Sequence, residues 1–156
     1  MSLQHENQNI VKCRENLYLG NFQAINNRLT SDEITKGTGF DQNEVKILLI
    51  RAYLSQNKFN SANTEASKME QNDLAKAAKN LITLSQKIHS GIVQPIISDN
   101  EILKIVENTQ QLIENKLNFT KPTFIVLVGL IFLHVGNYEQ AMNLFALHPQ
   151  NIEWLV

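Results

Sequence analysis

The sequence predicts an all-α chain built as an α-solenoid of antiparallel helix pairs. Three observations carry that expectation. Apolar residues recur at helical spacing nearly everywhere, and no stretch alternates convincingly as a strand would. Only three prolines and six glycines interrupt the pattern. One joint occurs three times, as NLYLGNFQAIN (Asn16 to Asn26), AYLSQNKFNSA (Ala52 to Ala62) and FLHVGNYEQAM (Phe132 to Met142).

Each joint reads as a hydrophobic helix end, a tight polar turn and an aromatic, with a small or apolar residue three positions on. Aligned on Gly20, Asn57 and Gly136, the aromatics are Phe22, Phe59 and Tyr138. Ile25, Ala62 and Ala141 follow, then Leu29, Ala66 and Phe145. Two antiparallel helices behind a short turn must pack closely. A small residue on the second helix lets the first approach, and the aromatic is expected to fill the wedge by the turn. The distance from residue 20 to residue 57 is close to the tetratricopeptide period of about 34 residues. The interval from 57 to 136 leaves room for one further pair with a long connection. The fold class expected is therefore a tetratricopeptide-like, curved right-handed array of about four pairs, with residues 1–156 as a single helical-repeat domain.

The elements follow in order. A first helix over Asn9 to Leu19 turns Ile10, Cys13, Leu17 and Tyr18 to the core, and its return helix carries Phe22, Ile25 and Leu29. Thr30 to Phe40, with Gly37-Thr38-Gly39, reads as a loop. Asp41 and Glu44 form a capping-box pattern. Behind it Val45, Leu48, Leu49, Ala52 and Tyr53 make an apolar stripe. A looser pair starts at Asp73 to Ile88, crosses a connection from Ser90 to Ile97, and resumes at a Ser98/Glu101 capping box with Ile102, Ile105, Val106, Leu112 and Ile113. Pro122 suits the first turn of the next helix, which is apolar on nearly every side. Its Gly129 is expected to be a close-packing contact. The return helix runs from Tyr138 to about Leu147.

Charge and composition narrow the function. Lys plus Arg is 14 against 15 acidic residues, for a net charge of −1, and no basic run suggests nucleic acid or an anionic membrane surface. The apolar run Phe124 to Val135 is shorter than the 18 or so residues a membrane span needs. Cys13 is the one cysteine, which rules out an intrachain disulfide framework. His5, His89, His134 and His148 share no metal-ligand spacing, and Gly37-Thr38-Gly39 lacks the lysine and third glycine of a phosphate loop. No nucleophile, base and orienting group cluster. No enzyme activity, metal or cofactor is expected. Asn118-Phe119-Thr120 matches a glycosylation pattern, idle without secretion.

The opening hairpin Asn16 to Gln23, the segment RAYLSQNKF (Arg51 to Phe59), and Thr123-Phe124 leading into IFLHVGNYEQAM (Ile131 to Met142) resemble the N-terminal half of the epsilon subunits of coatomer, the Golgi vesicle coat. The order and spacing of these segments agree with that family over nearly the whole chain. RAYLSQNKF is the most specific piece. The chain departs from the family at the loop Gly37 to Phe40 and in length, members being roughly twice as long. Ile152, Trp154, Leu155 and Val156 open a new apolar pattern. They read as the start of a further repeat in a longer solenoid, or else as a cap that folds back.

The resemblance implies a non-catalytic, cytoplasmic component of the coat, peripheral on Golgi membranes and coated vesicles. Such a component embraces the C-terminal domain of the alpha subunit, touches other coat subunits indirectly, and serves retrograde Golgi-to-ER and intra-Golgi transport. In such arrays the first helix of each pair lines the concave face. Positions two, three and six before each turn then select Arg14, Leu17 and Tyr18; Arg51, Leu54 and Ser55; and Leu130, Leu133 and His134. A mostly apolar groove of this kind suits a helix or hydrophobic segment of a partner. The competing reading is a generic tetratricopeptide adaptor or co-chaperone that clamps a C-terminal carboxylate. Ile10 and Arg14 stand where that clamp needs lysine and asparagine, and Leu48 and Leu127 are apolar at later clamp positions.

Overall fold

The computed structural model describes residues 8–30, 42–91 and 99–147. Among these residues the chain is all-α, with no strand. The helices are α1 (Gln8–Tyr18), α2 (Phe22–Leu29), α3 (Gln42–Ser55), α4 (Phe59–Ser67), α5 (Asp73–His89), α6 (Asn100–Glu114), α7 (Pro122–His134) and α8 (Tyr138–Phe145), with a 3-10 turn at Lys116–Thr120 before α7. The chain divides into two compact units, Met1–Met69 and Glu70–Val156. The expected loop beyond Thr30, Asp41, Ser98, the connection to Ile97, the Ile10 side chain and the terminal Ile152–Val156 pattern lie outside the described residues.

In the first unit α1 packs on α2, α2 on α3 and α3 on α4, with a smaller contact between α1 and α3. The core is the expected one. Cys13 comes from α1, Ile25 and Leu29 from α2, and Val45, Leu48, Leu49 and Ala52 from α3. Leu17, Phe22 and Tyr53 pack at its margin. The α3 residues stand at i, i+3, i+4 and i+7, the spacing that gathers side chains on one helical face. Helix α3 also buries Ile47 and Ile50, which lie off that stripe. Burial pushes the Cys13 thiol pKa up, against the opposing charge of Arg28. The thiol form is therefore favoured, and Cys13 serves as a small hydrophobe.

The three joints share one hydrogen-bond pattern. At the first, the Gly20 amide donates to the Leu17 carbonyl at 3.3 Å and the Asn21 amide to Asn16 at 2.9 Å. At the second, Asn57 donates to Leu54 at 3.1 Å and Lys58 to Tyr53 at 2.9 Å. At the third, Gly136 donates to Leu133 at 3.1 Å and Asn137 to Phe132 at 2.9 Å. This is the Schellman closure, whose central residue must be left-handed. Gly20, Asn57 and Gly136 have φ of 77°, 57° and 82°. Asparagine is among the few side chains that tolerate this region, so QNK can stand where the other joints have a glycine. The third joint is a two-part device. Gly136 ends α7, and the Asn137 side chain accepts from the Gln140 amide to cap α8. A fourth left-handed residue, Gly91 (φ 88°), closes α5. It falls about one 34-residue repeat after Asn57 and marks the joint of the looser pair.

In the second unit α5 packs on α6 and α7, and α7 packs on α8, on α6 and on the 3-10 turn. Helix α7 is apolar on nearly all sides and buries Phe124 through Gly129, Ile131 and Phe132, as expected of a helix covered by several neighbours. Gly129 is the predicted close contact, since a Cβ placed there would meet the Phe145 ring, with Cδ1 at 3.0 Å and Cε1 and Cζ nearer still.

Helix α6 starts one residue later than the Ser98/Glu101 pattern implied. Its N-cap is Asp99, whose carboxylate accepts from the amides of Glu101 at 2.9 Å and Ile102 at 3.2 Å. An ionised Asp satisfies two free amides and suits the positive end of the helix dipole. Glu101 does not reach back to the cap but bonds Lys87 at 2.7 Å, and Lys87 also pairs with Asp99 at 3.2 Å. One lysine near the end of α5 thus grips the start of α6.

Asn118 belongs to a network that the glycosylation pattern concealed. It is buried, and its Nδ2 donates to Asp73 at 2.9 Å and to the Leu112 carbonyl at 3.1 Å. A glycan would have to replace one of the protons making those bonds. The hydrogen bond from Asn118 is the main cause that lowers the Asp73 pKa; burial opposes it, and Asn115 and the charge of Lys76 assist. Asn118→Ala is expected to destabilise the second unit by about 1.5 kcal/mol, because a charge-assisted bond and the partner of a buried carbonyl are lost together. A carboxylate held low stabilises the fold above its unfolded pKa of about 3.9 and loses that contribution as pH falls through the folded value. Acid titration of thermal stability should therefore show a shallower decline below pH 4 in Asn118→Ala than in the parent chain.

Candidate partner-binding surface

The nine groove positions divide between the two units: Arg14, Leu17, Tyr18, Arg51, Leu54 and Ser55 in the first, and Leu130, Leu133 and His134 in the second. Their surroundings differ. Arg14 is half-buried, and its guanidinium pairs with the Glu44 carboxylate, so this charge ties α1 to α3. Glu44 thereby ties α3 to α1, while the capping box expected for it involves Asp41, outside the described residues. Leu17 packs against the core of the first unit. Tyr18, Arg51 and Leu54 are half-buried.

Ser55 and His134 are the exposed members of the set, and both are locally anchored. Ser55 Oγ donates to the Arg51 carbonyl at 3.0 Å. His134 Nδ1 lies 2.6 Å from the Leu130 carbonyl. A carbonyl can only accept, so Nδ1 carries the proton. Leu130 and Leu133 are half-buried beside it. Within each unit, then, the positions present half-buried apolar bodies and a few polar tips, the mixture a helical partner uses.

The aromatics behind the turns do not behave alike. Phe22 packs on its core and Phe59 is half-buried. Tyr138, expected to fill the wedge of the third joint, is instead 65% exposed. Phe145, further along α8, packs instead against Gly129, seven residues before the turn. Among the described residues no group of three or more His, Cys, Asp or Glu could hold a metal ion. No helix there is long and apolar enough to cross a membrane.

No curated protein and no solved structure matches the chain. The family model of the coatomer epsilon subunit matches residues 6–155. That span takes in all three hairpin joints, α1 through α8 and the groove positions, and the chain belongs to the coatomer epsilon subunit family.

Proposed function

We propose that the chain is a non-catalytic scaffold subunit of the coatomer coat that holds the C-terminal domain of the alpha subunit. The observation that carries this reading is the family match over residues 6–155. The repeated Schellman joints support it physically. They close each of these hairpins with the same turn, the joint from which a tetratricopeptide-like repeat is built. On this reading the protein acts in the cytoplasm, peripheral on Golgi membranes and coated vesicles, in retrograde Golgi-to-ER and intra-Golgi transport. A carboxylate-clamping adaptor fits less well, because Arg14 spends its charge on Glu44.

Calorimetry with the recombinant C-terminal domain of the alpha subunit tests the reading. The parent chain is expected to bind. Ser55→Arg and His134→Glu change exposed tips without disturbing a core, and each is expected to weaken binding about tenfold, or 1.4 kcal/mol. Absence of binding by the parent chain would overturn the assignment of the alpha subunit as partner. Undiminished binding by both variants would move the contact surface elsewhere.

A further inference from the structure

Independently of the coat assignment, we propose that the cleft between α5 and α6 binds an extended acidic peptide segment of a partner protein. The cleft has a volume of about 530 Å³ and lies wholly within the second unit. That is within the range of small-ligand pockets. Helix α5 contributes Lys76, Lys79 and Asn80, and α6 contributes Asn108 and Gln111.

The charge of the cleft is cationic. Its one carboxylate, Asp73, already accepts from Asn115 and Asn118 on one oxygen. The other oxygen stands 3.8 Å from Lys76, a loose pair on a lysine whose side chain is 63% exposed. Lys79 bonds the neutral Gln71, and among the described residues no carboxylate pairs with it. Such a pair of lysines attracts acidic side chains.

The carboxamides specify a peptide over a simple anion. Each offers two N–H donors and a carbonyl acceptor. A peptide main chain presents N–H and C=O together and can use both halves, whereas phosphate only accepts. Asn80 is oriented from below, its Nδ2 donating to Thr109 Oγ1 at 3.4 Å. Thr109 is fully buried and donates in turn to the Ile105 carbonyl at 2.7 Å. Lys76 and Lys79 stand one helical turn apart, with Cβ atoms about 5–6 Å from each other. Alternate residues of an extended chain are separated by about 6.6 Å, which the lysine stems readily span. The segment expected therefore carries Glu or Asp at alternate positions.

The test uses the 156-residue chain and a hexapeptide of alternating alanine and glutamate, acetylated and amidated so that its ends carry no charge. In heteronuclear NMR, the side-chain amide signals of Asn80, Asn108 and Gln111 are expected to shift saturably. A peptide with lysine in place of glutamate should leave them still. Lys79→Glu, which leaves the Asp73–Lys76 pair in place, should reduce the affinity at least tenfold with the chain still folded by circular dichroism, since Lys79 is not buried and bonds the neutral side chain of Gln71. The proposal is overturned if no signal shifts, if the charge-reversed variant binds equally well, or if inorganic phosphate at the same concentration reproduces the shifts and displaces the peptide.

Discussion

Gly129→Ala is expected to destabilise the second unit by about 2 kcal/mol, and the same substitution in a Phe145→Ala background to stabilise it. Two effects compete at this position. Alanine is the better helix former by about 1 kcal/mol, since glycine loses more backbone entropy on ordering. Against that, the added methyl meets the Phe145 ring, with three ring carbons at or inside 3.0 Å. Overpacking of this kind costs about 1–3 kcal/mol. The upper end applies because Gly129 is buried in the middle of α7 and cannot shift without moving Val128, Ile131 and Phe132, all buried. Truncating Phe145 removes the clash and leaves only the propensity gain, so the sign reverses. A double-mutant cycle by urea denaturation, with hydrogen exchange of the α7 and α8 amides to localise the effect, reads both. Loss of stability in both backgrounds would show that the glycine serves something other than this contact.

That contact was legible from sequence because it repeats a rule. A glycine seven residues before the turn of a hairpin costs helix stability, so it calls for a compensating close approach. The joints were legible for the same reason: Gly20, Asn57 and Gly136 sit where a left-handed residue must end the helix. Gly91 does the same at the end of α5, but HSGIVQP has no aromatic two residues on, so the local pattern hid it. What stayed hidden otherwise depended on tertiary pairing. The Arg14–Glu44 pair joins residues on α1 and α3. Lys87 meets Asp99 and Glu101 across a connection. Asn118 reaches Asp73 at the far end of α5. Single polar residues carry no periodicity, and nothing in a one-dimensional pattern distinguishes a solvated asparagine from a buried one. The cleft has the same character, since its carboxamides and lysines are ordinary surface residues of two helices until those helices are laid side by side.

Ile25 and Ala141 occupy the same place in the joint, three residues after the aromatic, and opposite substitutions there are expected to be costly. Both side chains are fully buried. Ile25 is a member of the first unit's core, with Leu29 on its own helix and Cys13, Leu48 and Leu49 from α1 and α3. Ile25→Ala leaves a cavity among residues tied by two neighbouring helices, at a cost of about 2–5 kcal/mol. Ala141 instead lies on α8, whose principal contact in the unit is the densely buried α7. Ala141→Ile adds three heavy atoms to a site with no exposed side, at a cost of about 1–3 kcal/mol from overpacking and a few tenths more from the lower helix propensity of a β-branched residue. The joint therefore fixes the register of the hairpin and leaves the size of this side chain to the helix opposite. A swap that put alanine in the first hairpin and isoleucine in the third should lose roughly the sum of the two penalties, because the sites belong to separate compact units. Denaturant midpoints of the two single variants and the double variant measure this. Single variants as stable as the parent chain would mean that the two hairpins do not impose different sizes at this position, and a double variant no less stable than the single ones would mean that the two sites are coupled.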